Sequence, residues 1–277
     1  MTLTNNESLS HLRGPLLLLG AGKMGQAMLD GWLAQGLEPR KVAVLEPKPS
    51  SDLQNLVVRG VGLNPAKAVP AEAIVIAVKP QTAAEALPSL RAWVTESTLA
   101  LSIMAGRTIA FLQAQLGESA AIVRAMPNTP AAIGRGITVA CGNARVGGDQ
   151  RALASELLSA IGGVEWVDDE KLMDAVTALS GSGPAYVFLL AEAMTKAGVA
   201  AGLPHALAQR LARETVSGSG ELLHRSTTDP ATLRQNVTSP GGTTAAALEI
   251  LMGPNGFEIL LKEAISAAAR RSRELAG

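Results

Sequence analysis

Gly20, Gly22 and Gly25 complete a G-x-G-x-x-G run. It follows the apolar stretch Leu16–Leu19 and leads into a segment with Met24, Met28 and Trp32 four residues apart. Buried strand, tight turn and amphipathic helix, in that order, are the context in which such glycines bind a dinucleotide. The first glycine permits a bend that a Cβ would block, the second lets the backbone approach a pyrophosphate, and the third lets helix and strand pack closely. The helix N-terminus adds unpaired N–H groups and a positive dipole end. Leu19, Ala21, Lys23 and Met24 complete the candidate phosphate loop. The alternative is a glycine-rich turn that binds nothing.

A second polar, glycine-rich stretch lies far along the chain, Thr238-Ser-Pro-Gly-Gly-Thr-Thr244. Its successive N–H groups and the hydroxyls of Ser239, Thr243 and Thr244 read as an anion nest opening a helix, and a carboxylate would fit it. Helix capping alone explains one hydroxyl, hardly three beside Gly241 and Gly242. Ser180-Gly-Ser-Gly-Pro-Ala-Tyr186 forms a similar but weaker polar turn. Between the two, Glu46 stands roughly twenty residues after Gly25, where an acid bonds the ribose hydroxyls of NAD. Lys48, Ser50 and Ser51 follow it and would suit a 2′-phosphate. The two signals conflict, and a solvated charged turn is the third reading. Lys79, in Ala-Val-Lys-Pro-Gln, ends another apolar run. It is a candidate ribose contact or a surface lysine. Asn128 and Thr129, between Pro127 and Pro130, form either a stiff contact for a nicotinamide carboxamide or simply a rigid turn.

Other chemistries lack their residues. His11, His205 and His224 are scattered, and the single cysteine, Cys141, permits no intrachain disulfide. There is no Tyr-x-x-x-Lys pair and no evident His–Asp dyad. Alcohol–ketone interconversion needs such an acid or base. Reduction of an iminium asks less, because the substrate arrives protonated and electrophilic. The protein then mainly positions a hydride donor and an anionic group.

These candidates need elements to hold them. Short apolar runs at 16–19, 42–45, 73–78, 98–104, 120–126, 137–141 and 164–167 alternate with helical segments at 23–35, 53–59, 82–92, 108–116 and 149–161. The pattern predicts an α/β domain with a mostly parallel sheet covered on both faces, its ligands outside the carboxyl ends of the strands. After about Asp169 the strand signal stops. Alanine-rich helices are expected at 170–180, 184–201, 204–219, 229–235, 243–252 and 256–275, with Gly202 at a helix end. The organisation reads as a loose tail at 1–13, a dinucleotide-binding Rossmann-type domain at 14–168, and an all-helical domain at 169–277. The helix carrying Val187, Phe188, Leu189, Leu190, Ala193, Met194 and Ala197 is apolar nearly all round, and a second subunit is its expected cover. Lys+Arg and Asp+Glu are both 24 in 277 residues, and aromatics are 3%. That balance argues against nucleic acid or an anionic membrane as partner. No apolar run approaches the roughly 18 residues of a membrane span, so a cytoplasmic protein is expected.

With those residues in view, the chain resembles the pyrroline-5-carboxylate reductases over about Leu16 to Leu275. The likeness rests on Gly20-Ala-Gly-Lys-Met-Gly25, Ala77-Val-Lys-Pro80, Arg124-Ala-Met-Pro-Asn-Thr-Pro130, Asp174 to Tyr186 and Asn236-Val-Thr-Ser-Pro-Gly-Gly-Thr-Thr244. The resemblance implies hydride transfer from NADPH, or NADH, to the C=N carbon of 1-pyrroline-5-carboxylate, giving L-proline. It implies a helical domain that intertwines in a homodimer, with dimers assembling into decamers. Carried over, Gly20 to Met24 wrap the pyrophosphate. Asn64 and the Val78-Lys79-Pro80 loop touch the adenosine half, Ala105 lines the cofactor, and Asn236 reaches it from the helical domain. Ser239, Gly242, Thr243 and Thr244 bind substrate, with Thr244 the partner of the ring nitrogen, and Glu170 matches an acidic position at the substrate. Where many members have serine or asparagine followed by arginine, this chain has Glu46-Pro47-Lys48, which leaves the choice of dinucleotide open.

Overall fold

The computed structural model describes residues 14–276 together with Leu9 and Leu12. It divides into two compact units. One runs to Gly181 and includes the C-terminal stretch from Ala269; the other is Ser182–Ala268.

The first unit is an α/β domain. In chain order it contains β1 (Leu16–Leu19), α1 (Lys23–Ala34), β2 (Val42–Leu45), α2 (Ser51–Val58), β3 (Gly62–Leu63), β4 (Ala73–Ile76), α3 (Ala83–Ala86) and β5 (Leu99–Ser102). α4 (Ile109–Leu116), β6 (Ala121–Met126), β7 (Gly136–Gly142), α5 (Gly148–Ser159), β8 (Gly162–Trp166) and α6 (Met173–Val176) follow. The strands form one eight-stranded sheet in the order β3-β2-β1-β4-β5-β6-β7-β8. All pairs are parallel except β6 with β7. β1 lies between β2 and β4, so the chain crosses from one side of the sheet to the other there. Outside the carboxyl ends of those strands is where such sheets bind ligands.

Period-2 alternation sorts the central strands onto two faces. Leu16 and Leu18 join Val42, Val44 and Val75 under Met28, Leu29 and Trp32 of α1. Leu17 and Leu19 join Ile74, Ile76 and Ile122 against Leu87, Leu90 and Leu112. Strands buried on both faces read as continuous apolar runs, which is why β1 is four leucines. Each such leucine contributes about 2 kcal/mol by leaving water. Trp32 keeps its polar handle satisfied by donating Nε1–H to the Leu157 carbonyl at 2.8 Å.

Several local expectations differ from the structure. Leu9 and Leu12 are buried in the α1 layer rather than loose, and Lys41 Nζ donates to the Leu12 carbonyl at 2.6 Å. The rest of the expected tail, His11 included, lies outside the described residues. The predicted helix at 82–92 is only α3 flanked by 3-10 turns. Pro88 has no N–H to continue the ladder there. β3 went unread because two residues carry no period. The segment 170–181 breaks into a 3-10 turn, α6 and a π-turn at Thr177–Gly181. The Thr177 hydroxyl donates to the Met173 carbonyl at 2.7 Å, which competes with the backbone ladder. Met173 of this segment packs in the apolar layer of the sheet.

The second unit is helical: α7 (Gly183–Ala200), α8 (His205–Arg225), α9 (Pro230–Asn236), α10 (Thr243–Leu251) and most of α11 (Phe257–Ala276). α7 ends in a left-handed Gly202 (φ +100°), with Leu203 N–H returning to the Gly198 carbonyl at 3.0 Å. α7 and α8 pack through small residues. A Cβ on Gly198 would stand 3.1 Å from that of Ala208. α8 runs past its expected end to Arg225, through Gly218 and Gly220. Large apolar side chains remain uncovered on this unit: Phe188 is 67%, Leu189 61% and Ile250 78% exposed. No described helix is long and apolar enough to cross a membrane.

Candidate functional site

The turn between β1 and α1 carries the three glycines, and each has its own geometric reason. Gly20 has φ +89°, and a Cβ there would meet the Ala77 carbonyl oxygen at 2.9 Å. A Cβ on Gly25 would run into the Gly20 carbonyl oxygen, so α1 can lie close against the turn only as glycine. Gly22 differs, because a Cβ there would meet nothing within 4 Å. The protein itself does not require a glycine at 22. A glycine there leaves the space in front of the backbone clear. Gly22 is also the N-cap of α1, with no side-chain cap and no acidic residue in the first turn. An open, uncapped helix start with cleared backbone fits a pyrophosphate. Ala21 is buried in this turn, Lys23 and Gly22 are exposed, and Met24 is half-buried.

Glu46 follows β2 and bends back to this turn. Its Oε2 accepts Ala21 N–H at 2.9 Å and its Oε1 accepts Lys48 N–H at 3.0 Å. Asn64, in a left-handed conformation (φ +44°), fixes the Glu46 backbone from both sides. Its Oδ1 accepts Glu46 N–H and its Nδ2 donates to the Glu46 carbonyl, both at 2.9 Å. Lys48 is exposed, while Ser50 is the N-cap of α2, accepting Leu53 N–H at 3.1 Å.

The next loops along the sheet edge are tied together. Val78 and Pro80 are half-buried and Lys79 is exposed after β4. Arg107, which the sequence did not single out, donates from Nε and Nη2 to the Pro80 carbonyl at 3.1 and 2.8 Å. The same guanidinium lies over the Phe111 ring, 4.6 Å from its centre. Ala105 is exposed in the turn that Arg107 anchors. Asn128 accepts Ile137 N–H on Oδ1 at 3.0 Å and donates Nδ2–H to Ser180 Oγ at 3.3 Å. Both ends of its amide therefore have protein partners. Glu170 Oε1 accepts Ile109 N–H and pairs with Arg124 Nη1, each at 2.8 Å. Cys141, the β7 partner of Arg124, is buried. Loss of solvation, then the nearby Glu170 charge, push its thiol above the usual range, although Arg124 pulls the other way. A thiol so shifted is a poor nucleophile.

In the helical unit, Gly242 is the N-cap of α10 and no side chain caps the helix. The alternative that Ser239, Thr243 and Thr244 are there to cap it therefore fails. Gly241 is left-handed (φ +68°), and Gly242 N–H turns back to the Ser239 carbonyl at 3.1 Å. Thr238 donates its hydroxyl to the Arg234 carbonyl at 2.7 Å, which ties α9 to the loop. Asn236, the last residue of α9, is exposed, as are Ser239 and Thr243, with Thr244 half-buried. Lys196, the only lysine of α7, is exposed and paired with Glu192 at 2.6 Å. Among the described residues no three His, Cys, Asp or Glu side chains gather as metal ligands do.

A doubly wound sheet with this glycine turn defines a dinucleotide-binding protein. The family model for pyrroline-5-carboxylate reductase dimerisation matches residues 170–275, and that for NADP oxidoreductase, coenzyme F420-dependent, matches residues 16–106. The chain is 40% identical over 264 residues to a pyrroline-5-carboxylate reductase of Pseudomonas aeruginosa, covering 94% of this chain and 96% of the relative. It belongs to the pyrroline-5-carboxylate reductase family. The solved pyrroline-5-carboxylate reductase of Coxiella burnetii superposes with a TM-score of 0.87 at 34% identity, over 95% of this chain and 99% of that one. The Plasmodium falciparum pyrroline carboxylate reductase, solved with NADP bound, gives 0.79 at 30% identity over 96% and 99%. The chain is thus an NAD(P)H-dependent reductase of proline biosynthesis that acts on 1-pyrroline-5-carboxylate, and its helical unit is a dimerisation domain.

Proposed function

We propose a division of labour within that reaction. The Leu19–Gly25 turn, the Val78–Pro80 loop and Ala105 hold the reduced dinucleotide, with Glu46, Lys48 and Asn64 on its adenosine side. NADPH is the leading cofactor and NADH a usable one. The loop ahead of α10 binds the carboxylate of the imine on its N–H groups and on Ser239, Gly242 and Thr243. Thr244 offers its hydroxyl to the ring nitrogen. The dinucleotide, when bound, supplies hydride to the carbon of the protonated C=N bond, and the electron pair of that bond goes to the iminium nitrogen, which keeps its proton as the amine.

One observation carries this reading: α10 begins uncapped behind a left-handed glycine, beside three hydroxyls that do not cap it. Unsatisfied N–H groups at a helix start are an anion site in waiting. Two of the expected site residues already have protein partners. The Asn128 amide is engaged with Ile137 and Ser180, so a nicotinamide contact would need one of those bonds to yield. Glu170 is similarly engaged with Ile109 and Arg124. The reading also includes a homodimer assembling to a decamer, and work in the cytoplasm, where an unpaired cysteine stays reduced.

Initial rates with pyrroline-5-carboxylate and each reduced dinucleotide test the reading. Thr244→Ala should lower kcat about a hundredfold, the scale of one lost catalytic hydrogen bond, while dinucleotide binding persists. Unchanged kinetics would remove Thr244 from the reacting centre.

A further inference from the structure

We propose that Glu170 is a positioning residue for the dinucleotide, acting through the main chain at the start of α4, and that Arg124 holds it in place. The inference rests on the proposed role of the Ala105 turn as part of the cofactor site. It differs from the expected role of Glu170 as a substrate ligand.

The Ala105-Gly106-Arg107 turn joins β5 to α4, and it is fastened at both ends. At its near end, Arg107 grips the Pro80 carbonyl with two N–H groups and so binds the turn to the neighbouring loop. At its far end, Thr108 caps α4 by accepting Phe111 N–H at 3.1 Å. That cap serves one of the donors that a helix start leaves unpaired. The Ile109 N–H is another, and Glu170 takes it at 2.8 Å across 61 residues of sequence. The same oxygen, Oε1, receives Arg124 Nη1 at 2.8 Å. Arg124 is only 4% exposed on the inner strand β6, whereas the Glu170 side chain is 29% exposed. The buried guanidinium is therefore the fixed post. The carboxylate is the strut, and the first peptide of α4 is what it braces.

A stability role alone would need only the ion pair. The additional bond to a main-chain donor at the head of α4 is what couples the pair to the turn. A cofactor turn displaced by about 1 Å loses affinity out of proportion to the contact removed.

Removing one member of a buried pair leaves an uncompensated charge. The test therefore compares two double variants that both remove the pair. R124M/E170Q keeps an acceptor for Ile109 N–H, and R124M/E170L does not. Reduced dinucleotide is titrated by its fluorescence without turnover, and KM for dinucleotide and for imine are measured alongside kcat. R124M/E170Q, which keeps the acceptor but loses its post, should bind dinucleotide about threefold more weakly than the unaltered protein, and R124M/E170L about tenfold more weakly again, with KM for the imine unmoved. Equal dinucleotide affinity in the two variants would overturn the proposal. So would a rise confined to KM for the imine, which would return Glu170 to the substrate. Failure of the unaltered protein to bind either dinucleotide would defeat the underlying reading as well.

Discussion

The carboxylate of Glu46 accepts the main-chain N–H of Ala21 at 2.9 Å, so the residue that ends one strand steadies the glycine turn that follows another. Glu46 thereby serves the turn and stands as a fixed negative charge beside the adenosine side of the proposed cofactor site. A carboxylate there accepts from a ribose hydroxyl and works against a 2′-phosphate, a penalty that the neighbouring Lys48 would offset. Replacing Glu46 with serine should raise the ratio of kcat/KM for NADPH over NADH about tenfold, the effect of roughly 1.4 kcal/mol of charge repulsion. Parallel initial-rate series with the two cofactors measure it. An equal loss with both would confine Glu46 to bracing the turn.

Gly22 and Gly25 lie in the same turn but should fail in different ways. A methyl at 25 collides with the Gly20 carbonyl, so Gly25→Ala should cost about 1–3 kcal/mol of stability and disturb the turn. A methyl at 22 meets no atom of the described residues within 4 Å. Gly22→Ala should melt within a degree or two of the parent, since surface changes fall within about 0.5 kcal/mol, yet bind dinucleotide about tenfold more weakly. Thermal melting with and without reduced dinucleotide separates the two. Undiminished binding by Gly22→Ala would show that the cleared space is not for phosphate.

Phe188 is 67% exposed on α7, in a unit whose sequence marks it as a dimerisation domain. A second copy is the cover that its apolar surface asks for. Phe188→Glu should shift the protein toward monomer in sedimentation velocity at micromolar concentration, since charge is depleted from the core of such interfaces. An unchanged sedimentation coefficient would place Phe188 outside the subunit contact.

Thr138 is fully buried on β7, and its hydroxyl has no hydrogen-bond partner among the described residues. An unpaired buried hydroxyl costs free energy that an isosteric methyl does not. Thr138→Val should therefore stabilise the protein by about 1 kcal/mol in denaturant unfolding, with unchanged kinetics. A loss of stability would mean that the hydroxyl is solvated or paired in solution.

How much of this was legible in sequence depended on range. The glycine turn was legible because strand, turn and helix are consecutive, and each glycine acts within a few residues of itself or on the adjoining strand. The loop ahead of α10 was legible for the same reason, and the structure removed its rival explanation by showing no side-chain cap. Glu46 was found by position, but its bond to Ala21 was not. Arg107 drew no attention, and Arg124 appeared only within a motif and without a role, because nothing in their neighbours announces a partner. Arg107 finds its carbonyl 27 residues back, and Arg124 finds its carboxylate 46 residues on.

By itself, the sequence determined the class of the fold and the helical second half, which follow from apolar periodicity and from glycines whose backbone needs are local; the reaction was implied by the motifs shared with the pyrroline-5-carboxylate reductases. Only the tertiary structure decided that β7 runs against β6, that the helical run at 170–181 is broken, and that Glu170 reaches Ile109 and Arg124. The physical reason is the same in each case. Hydrogen bonds and ion pairs between distant segments are set by where the sheet places strand ends in space, and no spacing along the chain encodes that distance.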